Sequence, residues 1–161
     1  MSARGPCDTL RRRASLVANG AKADIAFGRS RGGRTSKIHA LSDALGRPIA
    51  LALTPGNVAD IAVAPALLDT VDPPSRLLAD KAYDTDAFRA WLQNREVEAV
   101  IPSSARRPLP LDREAYRRRN LIERMFCRLK DFRRIATRYD RLARNYLSAL
   151  ALVSTVCFWI N

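Results

Sequence analysis

Residues 116–130, YRRRNLIERMFCRLK, constrain this chain more than any other stretch. Wound as an α-helix at about 100° per residue, they sort into three faces. With Tyr116 at zero, Arg119, Glu123 and Lys130 fall at roughly 300°, 340° and 320°, one narrow stripe. Ile122, Met125, Phe126 and Leu129 fall at about 240°, 180°, 280° and 220°, an apolar face suited to a core. Arg117, Arg124 and Arg128 gather at about 80–120°, on the solvated side. A rod with this pattern lies on a hydrophobic layer, with a basic row along its rim and one carboxylate, Glu123, within that row. Taken alone, Glu123 one turn from Arg119 reads as an ordinary surface pair worth ~0.2–0.5 kcal/mol.

The charge distribution says what such a rim is for. Of 161 residues, 28 are Lys or Arg and 16 are Asp or Glu, a formal charge of +12 and a sequence pI near 10.7. That imbalance points to a polyanion such as nucleic acid. No basic amphipathic helix is paired with a lipid-anchor signal, so a membrane surface is the weaker rival. Residues 1–37 hold nine basic against two acidic residues, and residues 117–144 hold eleven against three. Between them, residues 38–116 hold eight basic and eleven acidic. Two basic arms flank a mildly acidic centre, the combination a metal-dependent enzyme acting on DNA requires. Length fits one domain, and an apolar fraction of 47% suits a globular core.

Cys7, Cys127 and Cys157 are odd in number and widely spaced, which reads as packed, reduced thiols of a cytoplasmic protein. GPCDTLRRR at the front is too polar for a secretory signal. The apolar run at 146–160 is shorter than the ~20 residues of a membrane span and reads as a buried C-terminal helix.

Along the chain, residues 1–34 form a basic arm ending in GRSRGGR, which serves as a phosphate-contacting loop or a hairpin connection. It is no triphosphate cradle, because no Gly-Lys-Ser/Thr follows. Residues 36–41 and 48–54 alternate as two strands around the turn DALGRP, with His39 read as a packed, hydrogen-bonded histidine. Asn57 caps a helix running to about residue 70, with Asp60 in its first turn. A short strand at 76–79 delivers Asp80 at its C-terminal end, where α/β folds bind ligands. A helix cap or turn role for Asp80 is an equal alternative. Asp84 or Thr85 then caps a helix with Phe88, Trp91 and Leu92 on one face, residues 96–102 form a strand, and a helix fills 140–160. The order is that of a mixed α/β layer fold lacking a front strand, which the first thirty residues would supply.

Tyr116, Arg119, Glu123 and Lys130 also fill, position for position, the helix signature of DDE insertion-sequence transposases. LLADKAYDTDAF at 77–88 closely resembles the segment carrying the second catalytic aspartate in the insertion sequence 5 family. GRSRGGRTSKIHALSDALGRP at 28–48, LTPGNVAD at 53–60 and the stretch 117–147 resemble the same family, in order. The resemblance implies a ribonuclease H-like α/β fold, a mixed sheet flanked by helices with an incomplete N-terminal strand, in a catalytic domain spanning residues 35–161. It implies that Asp80 and Glu123 are catalytic, metal-binding carboxylates. Asp8, followed by Thr9, Arg13-Ala14 and Ala18-x-Gly20-Ala21, occupies the place of the first. There the chain departs from the family: Ser15 stands where a histidine is expected, and the apolar residues of a buried strand are missing. Asp24, Asp43 and Asp60 are less suited substitutes.

On that resemblance the three carboxylates hold two Mg2+ or Mn2+ ions about 3.5–4 Å apart for DNA strand cleavage and transfer. Hard oxygen donors suit these ions, and the absence of Cys/His clusters argues against zinc. Tyr116, Arg119, Lys130, Arg133 and Arg134 line the DNA path, with transposon ends and target DNA as partners. Family members act as homo-oligomers on DNA and carry an upstream DNA-binding region. Nothing before Asp8 resembles one, so the chain reads as the catalytic half of a split element, with that region on a separate polypeptide. The alternative is a catalytically dead remnant that only binds DNA. A tyrosine nucleophile lacks its histidine-rich activating cluster.

Overall fold

A computed structural model describes residues 28–30, 33–103, 108–137, 140 and 142–160. Its elements are β1 (Gly28–Ser30), β2 (Gly33–Ser42), β3 (Pro48–Pro55), α1 (Asp60–Leu68), β4 (Arg76–Leu78), α2 (Asp86–Gln93), β5 (Glu98–Val100), α3 (Arg113–Arg117), α4 (Asn120–Lys130), α5 (Arg133–Thr137) and α6 (Ala143–Thr155). A single 3-10 turn, Lys81–Tyr83, follows β4, and a π-helical turn, Val156–Ile160, extends α6. Among the described residues the strands form two sheets: β1-β2-β3, all antiparallel, and a parallel β4–β5 pair. The chain is thus a mixed α/β protein. Residues 28–30 pair antiparallel with 33–35, as the hairpin reading of that segment expects.

The β2–β3 hairpin is the middle layer. Ile38 faces Leu53 and Ala40 faces Leu51, and these side chains meet Met125, Leu129, Ile135, Tyr146 and Leu150 from α4, α5 and α6. The intervening Ala50 and Ala52 point the other way and let Leu67 and Val63 of α1 approach closely. Side chains alternate faces along a strand, so PIALALT is built to be buried twice, large on one side and small on the other. A second core joins α1, α2 and the β4–β5 pair through Leu68, Phe88, Leu92, Val97 and Ile101.

Asp43 organises the β2–β3 turn. Its Oδ1 accepts from the amides of Leu45 and Arg47, both at 2.9 Å, and Oδ2 from Arg47 Nε at 2.7 Å. Gly46 adopts φ +78° in this turn, and a Cβ there would come within 3.3 Å of Leu121 Cβ. Only glycine meets both demands without strain. The far end of the chain returns to the same corner: Trp159 Nε1 donates to the Pro48 carbonyl at 3.3 Å, and the Arg47 guanidinium lies 4.4 Å from the Trp159 ring centre.

Several expectations are corrected. The rod over 116–130 is two helices, α3 and α4, broken at Arg118–Arg119. There the amides of Arg118, Arg119, Leu121 and Ile122 bond three residues back, so a tighter 3-10 winding joins the helices. Asn57 does not cap α1; it lies in a turn, and the cap is Ala59 with no side-chain bond. Arg128 is not merely solvated: it donates to the Cys157 carbonyl at 3.1 Å, with its guanidinium 4.7 Å from the Phe158 ring centre. Cys157 is buried as expected, but Cys127 is exposed on α4; Cys7 lies outside the described residues. Of the two caps expected for α2, Asp84 or Thr85, it is Thr85 that caps the helix, accepting from the Phe88 amide.

The run Ala143–Ile160 is long and apolar enough to cross a membrane by length and composition. One face, with Tyr146, Leu147 and Leu150, is buried against α4 and α5, and the Tyr146 hydroxyl donates to the Ile135 carbonyl at 2.8 Å. Leu152 and Ile160 on the opposite side are 66% and 70% exposed. Leu129 has no exposed surface, so Leu129→Ala is expected to destabilise the fold by about 2–5 kcal/mol. Leu152→Ala should stay within about 0.5 kcal/mol, and urea unfolding of the two variants checks the contrast.

Candidate active site

A cavity of about 380 Å3 opens where β2, α1, the 3-10 turn and α4 meet. Ile38, Ala40, Ile122 and Phe126 form its apolar wall, and Lys37, His39, Asp60 and Tyr83 its polar wall. Strand alternation puts Lys37 and His39 on the same side of β2, facing the first turn of α1, where Asp60 sits. Lys37 Nζ lies 3.1 Å from Asp60 Oδ1 and donates to the Val58 carbonyl at 2.9 Å, which ties the loop before α1 to the strand.

His39 is buried and shares a 2.7 Å hydrogen bond between its Nε2 and Thr54 Oγ1, while Nδ1 lies 3.9 Å from Asp60 Oδ1. Burial pushes its pKa below the ordinary 6.5; Asp60 opposes that shift and Lys37 reinforces it. The packed, hydrogen-bonded histidine read from the strand pattern is what the structure holds. Tyr83, partly buried against the second core, has its phenol pushed up to about 12, first by burial and then by the charges of Asp60 and Asp80. Such a phenol keeps its proton at neutral pH, which is poor chemistry for a nucleophile.

Asp80 lies two residues past the end of β4, after Ala79, and is exposed. It caps the 3-10 turn, its Oδ1 accepting from the Ala82 amide at 2.9 Å, so the turn-capping role foreseen for it is real. Its Oδ2 makes no hydrogen bond or ion pair among the described residues. Glu123 lies in the first turn of α4, 58% exposed, with Oε1 accepting from Arg119 Nη2 at 2.6 Å. The turn that Asp80 opens and the helix that carries Glu123 both border the cavity, through Tyr83 and through Ile122 and Phe126. Neither carboxylate lines it, and among the described residues no three Asp, Glu, His or Cys side chains are grouped as a metal site. Asp8 lies outside the described residues.

The basic row is partly engaged within the chain. Arg119, besides holding Glu123, lies 5.7 Å from the Tyr116 ring centre, which keeps these three side chains together despite the break before α4. Lys130 and Arg133 are exposed at the end of α4 and the start of α5. Arg134 makes a two-armed contact with Asp140, Nη2 to Oδ1 at 2.9 Å and Nε to Oδ2 at 3.1 Å, and that hydrogen bonding raises its pKa. Lys37 and Tyr83 were not read as neighbours of the site from the sequence. The period-two spacing of Lys37 and His39 carried a signal for the first; nothing local signalled the second.

The family model of the transposase DDE domain matches residues 15–158, and the chain belongs to that family. A protein of Brucella ovis (strain ATCC 25840 / 63/290 / NCTC 10512), named as a transposase for insertion sequence element IS6501, is 33% identical over 130 residues, covering 79% of this chain and 99% of that protein. One from Burkholderia cepacia, named for element IS402, is 32% identical over 135 residues, covering 77% of this chain and 63% of that protein. No solved structure matches.

The cavity carries a pH prediction. His39 binds its proton more weakly folded than unfolded, so its contribution to stability is complete above the ordinary value of 6.5 and is lost as pH falls through the lower folded value. Melting temperature should drop between pH 7.5 and 5.5, and His39→Gln should flatten that drop in a thermal scan.

Proposed function

We propose that this chain is the catalytic domain of an insertion-sequence transposase that cleaves and joins DNA, with Asp80 and Glu123 as two of its three acidic site residues. The observation that carries this reading is the shared cavity. The turn behind Asp80 and the helix of Glu123 meet there, although 43 positions separate the two residues by number. Membership of the DDE family supports a ribonuclease H-like arrangement, and Asp8, which lies outside the described residues, is the third carboxylate of this reading.

The donor chemistry fits a divalent metal. Asp80 Oδ2 and Glu123 Oε2 are oxygens of exposed carboxylates with no other contact among the described residues, and hard oxygens suit Mg2+ or Mn2+. When bound there, such ions supply Lewis-acid activation of a water or 3′-hydroxyl and of the leaving oxygen. The chain's own residues do the rest. Arg119 holds the Glu123 carboxylate against the wall of α4, and Tyr116 braces Arg119. Lys130 and Arg133 continue the row as phosphate contacts that position a DNA strand without reading its sequence. Arg134 is oriented by Asp140 and presents what remains of its guanidinium to the same track. The partners are transposon ends and target DNA in the bacterial cytoplasm, handled by a homo-oligomer and a separate end-reading region.

Purified protein with labelled transposon-end duplex and Mg2+ or Mn2+ tests this. Asp80→Asn and Glu123→Gln should each lower cleavage by more than about 100-fold, the scale on which losing one preorganised electrostatic contact acts. Both variants should still fold and bind DNA. Unchanged cleavage in both would sink the reading, and DNA binding with no metal-dependent cleavage in the wild type would leave a remnant that only binds. Lys130→Ala and Arg133→Ala should each flatten the dependence of log affinity on log salt by about 0.9, measured by fluorescence anisotropy.

A further inference from the structure

Arg89, in the middle of α2, does not line the cavity. Its Nε donates to Asp84 Oδ1 at 2.7 Å, and its Nη2 donates to the Ile101 carbonyl at 2.8 Å. The pair is sunk in the protein, with side-chain exposures of 17% for Arg89 and 3% for Asp84. Asp84 closes the same 3-10 turn that Asp80 opens: the Tyr83 amide bonds to the Asp80 carbonyl, and the Asp84 amide to that of Lys81, each at 3.1 Å. On the other side of Asp80, the Ala79 amide reaches the Val100 carbonyl at 3.4 Å. Both ends of the segment 79–84 are therefore pinned to adjacent carbonyls, Val100 directly and Ile101 through the Arg89 fork.

Stability alone does not account for this arrangement. Helix α2 is already capped by Thr85 and anchored by buried Phe88 and Leu92. A buried ion pair is costly to desolvate, and replacing one with well-packed apolar side chains is often neutral or stabilising. What an arginine adds over any apolar residue, and over lysine, is a rigid planar fork that holds two acceptors at a set separation and angle. Here the two acceptors are the end of the Asp80 turn and the exit of β5.

We propose that Arg89 is a positioning residue for Asp80. With Asp84 and the Ile101 carbonyl it forms a clamp that fixes the 79–84 segment, and so the direction in which the Asp80 carboxylate is presented, without itself touching DNA or ion. The proposal rests on the reading of Asp80 as a site carboxylate.

Two variants separate the clamp from a general structural role. Arg89→Lys keeps the charge beside Asp84 but cannot reach both acceptors, and Asp84→Asn keeps the shape while removing the charge. In the purified full chain without metal, amide hydrogen exchange at 81–84 should quicken in both variants while α4 and α6 exchange as in the wild type. In the cleavage assay, turnover should fall by roughly 10- to 100-fold with half-saturation for DNA unchanged, the range seen when a supporting partner of a reacting group is lost. Arg89→Lys should keep more activity than Arg89→Met. Wild-type exchange at 81–84 in both variants would overturn the clamp. Faster exchange with undiminished turnover would overturn the positioning role and leave the reading of Asp80 intact. Full cleavage by Asp80→Asn would overturn that reading, and this proposal with it.

Discussion

The architecture depends on a strand whose two faces are both buried and are not alike. In β3, Leu51 and Leu53 serve the core under α4–α6, while Ala50 and Ala52 serve the contact with α1. A one-residue slip of β3 against β2 would exchange the faces and leave neither core filled. The Asp43 turn guards against that slip, because its bonds to Leu45, Arg47 and Gly46 define where the hairpin reverses. With the hairpin in register, Lys37 and His39 necessarily face Asp60, and the polar wall of the cavity follows from the same alternation that builds the core.

Among the described residues, several polar contacts hold separate segments at a set distance. Tyr146 reaches the middle of α5, Arg128 reaches the π-helical turn after α6, Trp159 returns to the hairpin, and Arg89 spans from the Asp80 turn to the residue after β5. Most of these join a side chain to a backbone carbonyl, so they fix backbone position rather than side-chain identity. The site grows out of this: Asp80 and Ile101 follow the carboxyl ends of two parallel strands, where an α/β sheet leaves backbone open for loops and ligands.

Much of this was legible in residue order. The alternation at 36–54, the apolar stripe of Ile122, Met125, Phe126 and Leu129, the short strand ahead of Asp80 and the cap at Thr85 are local patterns, and the structure follows them, with the strand ending one residue early at Leu78. The misses share a cause. The break at Arg118–Arg119 needs no Pro or Gly, only a local switch to three-residue hydrogen bonds, and the intrinsic helix preference of YRRRN does not signal it. Arg128 read as solvated because its partners, Cys157 and Phe158, lie some thirty positions away. Asn57 is a good cap by chemistry, yet the turn from Pro55 and the pull of Lys37 on Val58 delay the helix by two residues.

By itself the sequence determined the element types, the register of the hairpin, the charge of the rim and the family, because each is written in spacing along one segment or in matched segments in order. Tertiary structure alone decided which side chains meet: that Tyr83 and Phe126 wall one cavity, that Arg134 is held by Asp140, and that Arg89 ties Asp84 to Ile101. Those pairings depend on how layers stack and how loops close over distances that no local periodicity encodes.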